Sequence, residues 1–298
     1  WFNTFDDIVG NLQIPRLSGL GRTATVADLV GIVPQFVTLD RHVSAVIAST
    51  GQGRRLRDDA EFLTVSVNSP FGPLGPGKPA LVRGDVGDNS IDWGDGLSIR
   101  VLHPDHQRLT EMQDKWDEDL KKAAQKGDDS IIFASLGKRD TSPFNLASIV
   151  CLVEFDGKRM LLTGDARDDD ILDGLRRANL LDGDDHIHVD ILKIPHHGSD
   201  RNMSQHFFER VSADHYIISG NGEYNNPDKS TLVMLSMATQ GRDDFTIHLT
   251  NHEGEHELQK KLDEFIEDDR RRGRTYGFEF RKEDDLSLTV DLLDAIDY

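Results

Sequence analysis

The segment Ala147-Ser-Ile-Val-Cys-Leu-Val-Glu-Phe-Asp-Gly-Lys-Arg-Met-Leu-Leu-Thr-Gly-Asp165 decides the fold class of this chain. Two apolar runs, Ala147 to Phe155 and Arg159 to Thr163, are joined by Asp156-Gly157. Asp-Gly supplies the positive φ angles of a two-residue turn, so a β-hairpin is predicted. The second strand ends on Gly164-Asp165, which delivers a carboxylate directly after a buried strand, with a glycine that lets another backbone approach closely. Further strands are predicted at Val189 to Ile194, His215 to Ser219 and Phe245 to Thr250. They alternate with helical stretches at Asp169 to Ala178, Met203 to Val211, Ser230 to Ala238 and Glu255 to Arg270. Strand and helix in alternation make this an α/β layered fold.

Upstream of the hairpin, Ala80 to Arg83 and Leu97 to Leu102 read as strands on either side of the turn-rich Gly84 to Gly96. A polar helix is predicted from Asp105 to Gln125, after Pro104. Val26 to Ile47 carries a helical apolar period, and the Pro- and Gly-rich Asn68 to Pro79 reads as loop. No repeat, low-complexity tract or linker interrupts the chain, so residues 1–298 read as a single domain, with the acidic tail Glu283 to Tyr298 ordered by its Leu/Val pattern.

The 298 residues carry 34 Lys+Arg against 53 Asp+Glu, a net charge of −19, with 37% hydrophobic and 29% charged residues. That balance excludes disordered and fibrous classes. No apolar run reaches the ~18–20 residues of a spanning helix, and Trp1 to Gly10 lacks the pattern of a signal peptide, so no membrane association is expected. The single cysteine, Cys151, lies in an apolar run, which suits a reducing, cytoplasmic setting. An acidic surface repels polyanions, so nucleic acid would need a local cation to bind. The chain opens at Trp1 rather than Met and is expected to be the C-terminal portion of a longer protein.

Three stretches place polar groups at strand ends, where side chains converge on a cleft. Asp165 follows the hairpin; the alternative is that it caps the next helix. His196 and His197, in Val189-Asp-Ile-Leu-Lys-Ile-Pro-His-His-Gly-Ser199, are candidate metal ligands. On an extended backbone they would point to opposite sides, leaving one of them to bind a given ion. The alternative is two histidines in a surface loop. Ser219-Gly-Asn-Gly-Glu-Tyr-Asn-Asn-Pro-Asp-Lys229 is suited to line a cleft, although Asn, Gly and Pro also make ordinary turns. Ser199, Asn221, Asn225 and Asn226 are the candidate substrate contacts.

Two weaker patterns compete. His252-Glu-Gly-Glu-His256 fits the H-E-x-x-H zinc-protease pattern, which requires both histidines on one face of a helix. Gly254 and the absence of a third ligand nearby argue against it. His186-Ile-His-Val-Asp190 alternates along the entrance to a strand and reads as a strand edge. Arg270-Arg-Arg-Gly-Arg274 follows Glu267-Asp-Asp269 and reads as a solvated helix end.

Taken in order, Asn145-Leu-Ala-Ser148, Leu161-Leu-Thr-Gly-Asp165, Asp190-Ile-Leu-Lys-Ile-Pro-His-His-Gly-Ser199 and Ile217-Ile-Ser-Gly-Asn221 resemble the metallo-β-lactamase-fold hydrolases of the competence-protein type. The resemblance covers the middle third of the chain. It implies an αββα sandwich with a metal site at one edge of paired sheets, two divalent ions of Zn or Mn type, and hydrolysis of phosphodiesters, as by a nuclease. It assigns Asp165, His196 and His197 to catalysis and metal binding, and makes Asn145 and Ser148 supports of that site. The family's principal His-x-His-x-Asp-His cluster is absent from these residues, and Asn226-Pro227 stands where relatives often carry His before the proline. The resemblance therefore implies, as partner, an N-terminal part of the same protein that was cleaved, is disordered or is a separate chain. The alternative is a degenerate, metal-free binding or assembly module on the same fold.

Overall fold

The computed structural model describes residues 59–60, 62–65, 68, 71, 81–87, 89–112, 114, 142–282 and 284–292. The sequence expectation of a helix at Val26 to Ile47 lies outside these residues. The chain divides into two compact units, one of Trp1–Val82 with Asp105–Gly137 and the other of Arg83–Pro104 with Lys138–Tyr298. In the first, residues 106–112 are helical, as the sequence predicts, and the Asp105 carboxylate accepts the Arg108 N–H at 2.9 Å, which caps the helix start.

The second unit is α/β, a mixed eight-stranded sheet flanked by helices. Its elements are β1 Ser90–Asp92, β2 Ser98–His103, α1 Pro143–Leu146, β3 Val150–Phe155, β4 Lys158–Leu162, α2 Asp168–Arg177, β5 Ile187–Lys193, α3 Gln205–Arg210, β6 Val211–Ile218, α4 Lys229–Ala238, β7 Thr246–Leu249, α5 Leu258–Arg271 and β8 Gly277–Phe280. The strands lie in chain order across the sheet. β1 to β4 are antiparallel, and β4 to β8 are parallel to one another. The β3–β4 hairpin closes through Asp156 and Gly157, at φ +47° and +76°, the two positive angles expected of this turn.

Each parallel step needs a crossover, supplied by α2, α3, α4 and α5 in turn. Right-handed crossovers that all advance in one direction put these helices on one side of the sheet. There Ile171, Leu175, Phe207, Phe208, Leu232, Leu235, Leu262 and Phe265 join Leu152, Leu161, Val189, Leu192, Tyr216, Ile218 and Ile247 in one buried core. The opposite face carries Cys151, Val153, Met160 and Ile191 partly buried and Leu162 exposed. Asp168, Asp169 and Asp170 open α2, and Arg176 and Arg177 close it, both favourable to the helix dipole.

Four sequence expectations are corrected. Residues 81–83 are buried but form no strand. The region read as turns contains β1, and β8 pairs with β7 where no strand was expected. β6 begins at Val211, four residues ahead of the expected start, because its polar residues find partners: Ser212 Oγ with His188 at 2.9 Å and Asp214 with Arg242 at 2.7 Å. Of the tail expected to be ordered, residues 284–292 form neither helix nor strand and Leu286 is fully exposed, while 283 and 293–298 lie outside the described residues. No helix among the described residues is long and apolar enough to cross a membrane.

Gly174 in α2 faces the β2 backbone, where an added Cβ would lie 2.6 Å from the Leu102 carbonyl oxygen. Gly174→Ala should therefore lower stability by about 1–3 kcal/mol in a denaturant titration, against the ~1 kcal/mol gain that helix propensity alone would give. On the other face of the sheet, His215 Nδ1 meets His248 Nε2 at 2.9 Å, and the Glu279 carboxylate lies 3.0 Å from His248 Nδ1. Burial, with a smaller contribution from His215, holds His248 down to about 4. The unfolded chain then binds the proton first, so this contribution is present above pH 6.5 and lost as pH falls toward 4. His248→Gln should flatten the pH dependence of unfolding in that window by up to about 3 kcal/mol.

Candidate functional site

Because β4, β5, β6 and β7 run parallel, their C-terminal ends open on one edge of the sheet, the usual position of ligand sites in α/β proteins. Asp165 follows β4, His196 and His197 follow β5, Ser219 to Asn221 follow β6, and Asn251 follows β7.

The Gly164-Asp165 corner is held from several sides. Gly164 has φ +54°, and a Cβ there would lie 2.9 Å from that of Ser148, so the corner requires glycine. Its carbonyl accepts from Lys193 Nζ at 2.8 Å and from the His196 N–H at 3.1 Å. The Asp165 N–H donates to Ser148 Oγ at 3.1 Å, and the Ser148 N–H donates to the Asn145 carbonyl at 3.0 Å. Asn202 Nδ2 donates to the Asp165 carbonyl at 3.0 Å. Burial lowers the pKa of Lys193, while the charge of Asp165 opposes that shift. α2 begins three residues later with Arg167 as its N-cap, so Asp165 does not cap the helix.

Pro195 to Gly198 forms a single tight turn. The expectation of an extended backbone here is corrected: His196 and His197 have φ +43° and +56°, the left-handed region that costs non-glycine residues about 1–3 kcal/mol each. The rings nonetheless diverge, with centroids 5.9 Å apart and planes at 66°. His196 Nδ1 meets Asn202 Oδ1 at 2.8 Å, while His197 Nδ1 meets the Ser219 carbonyl at 2.5 Å. A carbonyl only accepts, so His197 carries its proton on Nδ1 and keeps the Nε2 lone pair free. That nitrogen lies 4.0 Å from Asp165 Oδ1. The gap is too long for a hydrogen bond and somewhat longer than the ~3.3 Å between two ligands of a tetrahedral ion, so a small side-chain rotation would bring both donors onto one ion.

Beside His197 is a cleft of about 280 Å³ lined by Ser219, Asn221, Tyr224, Asn226 and Asn251, among others. Its floor is rigid. Asn251 Nδ2 donates to the Gly220 carbonyl at 2.9 Å, the Glu255 N–H donates to the Asn221 carbonyl at 2.9 Å, and Asn221 Oδ1 accepts the Glu223 N–H at 3.1 Å. Lys261 Nζ donates to the carbonyls of Asn225 and Pro227 and to Asn225 Oδ1, at 2.5, 3.0 and 3.0 Å. Burial lowers the pKa of Lys261, opposed by Asp228, whose own pKa burial raises.

Of the candidates read from the sequence, Asp165 and His197 face each other, and Ser148 supports Asp165. Asn145 enters through its carbonyl, and Asn221 and Asn226 line the cleft. His196 turns to Asn202. Asn225 is drawn to Lys261, and Ser199 is buried where the turn closes, with its Oγ accepting the Arg201 N–H at 3.4 Å. Lys193, Asn202 and Asn251 carry no pattern that marks them as site residues, and Tyr224 is marked only by its place in the Ser219 to Lys229 loop; the only local signal for Asn202 is its position six residues after His196.

The weaker patterns resolve structurally. His252 bonds Asp263 at 2.8 Å and His256 lies ahead of α5 at φ +51°, so no helix face presents both. His188 and Asp190 serve strand pairing, with Ser212 and with Lys158. Arg274 closes the end of α4, donating to the carbonyls of Ser236, Thr239 and Arg242. Among the described residues no group of three or more His, Cys, Asp or Glu could hold a metal ion.

Asn202 is fully buried and links His196 to the Asp165 backbone. Asn202→Ala should cost about 1–3 kcal/mol in denaturant unfolding, because it strips partners from groups on both. No family model, curated protein or solved structure matches the chain, so the reading of this site rests on its geometry and residue chemistry.

Proposed function

We propose that this chain is a metal-dependent hydrolase, a phosphodiesterase or nuclease, on an αββα sandwich of the metallo-β-lactamase type. The observation that carries the reading is the Asp165–His197 pair: a carboxylate and an imidazole of fixed tautomer, 4.0 Å apart, on backbones anchored at the carboxyl ends of two adjacent parallel strands. A carbonyl behind the ligating imidazole is the usual device for aiming its lone pair at a cation.

Asp165 and His197 would hold a divalent ion of Zn or Mn type, with His196 beside them. Two donors are fewer than the four or more such an ion takes, so the remaining ligands come from outside the described residues or from an upstream part of the protein. Bound there, two such ions would activate water near neutral pH and offset phosphoryl charge. Ser148 and Asn202 fix the Asp165 backbone, and Lys193 fixes the Gly164 carbonyl before it. Ser219 fixes the His197 ring. With a net charge of −19, the protein repels a polyanion elsewhere on its surface, so substrate affinity concentrates at the ions.

The test is metal content and hydrolysis in protein prepared with its upstream sequence. Elemental analysis should find about two divalent ions per chain. Asp165→Ala should remove metal and lower hydrolysis of bis(p-nitrophenyl) phosphate by more than about 100-fold, beyond the loss typical of residues that only orient ligands. Metal-free protein, or unchanged hydrolysis in Asp165→Ala, would favour a binding or assembly module instead.

A further inference from the structure

We propose that the cleft beside His197 is a nucleobase subsite, where Tyr224 stacks on an unpaired base and the Asn226 carboxamide reads the base's polar edge. The proposal rests on the phosphodiesterase reading and names its substrate class as nucleotides presented unpaired.

Asn226 is the first reason. The residue is 8% exposed overall, and its carboxamide, which has no hydrogen-bond partner among the described residues, opens on the cleft. An amide that no protein group occupies and that opens on the cleft is suited to a ligand that donates and accepts side by side. Adenine offers that pattern at N6 and N7, and Asn matches it with two bonds.

Tyr224 is the second. It is 80% exposed at the cleft, with no core position to fill. Its loop is nevertheless tightly built: a Cβ on Gly222 would lie 2.3 Å from the Glu255 carbonyl oxygen, and the Asn225 N–H donates to the Gly222 carbonyl at 2.7 Å. An exposed aromatic ring on a tied loop is a stacking platform for any base. No Lys or Arg lines the cleft, and Glu223 does, so the attraction there is to the base and not to phosphate. A volume of about 280 Å³, close to the ~300 Å³ lower bound of small-molecule pockets, is of the order of a single nucleoside.

The experiment is calorimetric titration of the protein with 5′-AMP and with ribose 5-phosphate, which lacks the base. AMP should bind at least about tenfold more tightly. Tyr224→Ala should weaken AMP by roughly 5- to 100-fold, Tyr224→Phe should retain it, and neither should change ribose 5-phosphate binding. Because Tyr224 is exposed, its loss does not threaten folding. No AMP binding, equal binding of the two ligands, or AMP binding unchanged in Tyr224→Ala would overturn the subsite. Hydrolysis of bis(p-nitrophenyl) phosphate separates the two readings. Base-selective binding without hydrolysis removes the hydrolase and leaves the subsite, while hydrolysis without base selectivity does the reverse.

Discussion

The Gly164 carbonyl, which accepts from Lys193 Nζ and from the His196 N–H, ties the end of β4 to the end of β5. Without that tie, Asp165 and His197 would each sit on a separate loop. With it, the separation of the two side chains is set by the parallel β4–β5 register, in which Met160 pairs with Ile191 and Leu161 with Leu192. The helix-covered core fixes that register, since a one-residue slip would turn Leu161 and Leu192 out of it. Core packing thus sets the geometry of a polar site several residues away.

The local energetics run the other way. Two left-handed histidines and a half-buried lysine are all unfavourable by themselves, and each persists because partners over-determine it. Asn202 and Ser219 take the histidine rings, and Gly164 takes the lysine. Gly198, at φ +85°, leaves no room for a side chain, because a Cβ there would lie 2.6 Å from Pro227 Cβ. Left-handed residues also occur at the other end of the sheet, at Asp156 and Asp185, but those are turn aspartates that tolerate the conformation, whereas two consecutive left-handed histidines are held only by their partners.

The cleft shows a second division of labour. The Asn-rich loop after β6 gains its shape from contacts to α5 and to the turn ahead of it, through Lys261 and Glu255, which lie more than thirty residues downstream in the chain. Asn225 and Asn226, adjacent in sequence, therefore have different fates: one is occupied by Lys261, and the other is left facing the cleft.

The sequence by itself determined the α/β alternation, the Asp156-Gly157 hairpin, most helix spans and the placing of Asp165 and the histidine pair at strand ends, because period, turn chemistry and breakers act over a few residues. It marked Asn221 and Asn226 as cleft candidates on the same basis. Strands with weak local signals, β1 and β8, escaped it, since they exist only by pairing with β2 and β7. Only the tertiary structure decided that His197 rather than His196 faces Asp165, that Ser199 is buried in its turn, and that Asn202, Lys193 and Tyr224 belong to the site. Those outcomes depend on which carbonyl or carboxamide from a distant strand meets each side chain, and no local pattern encodes a partner that the sheet register brings in from elsewhere in the chain.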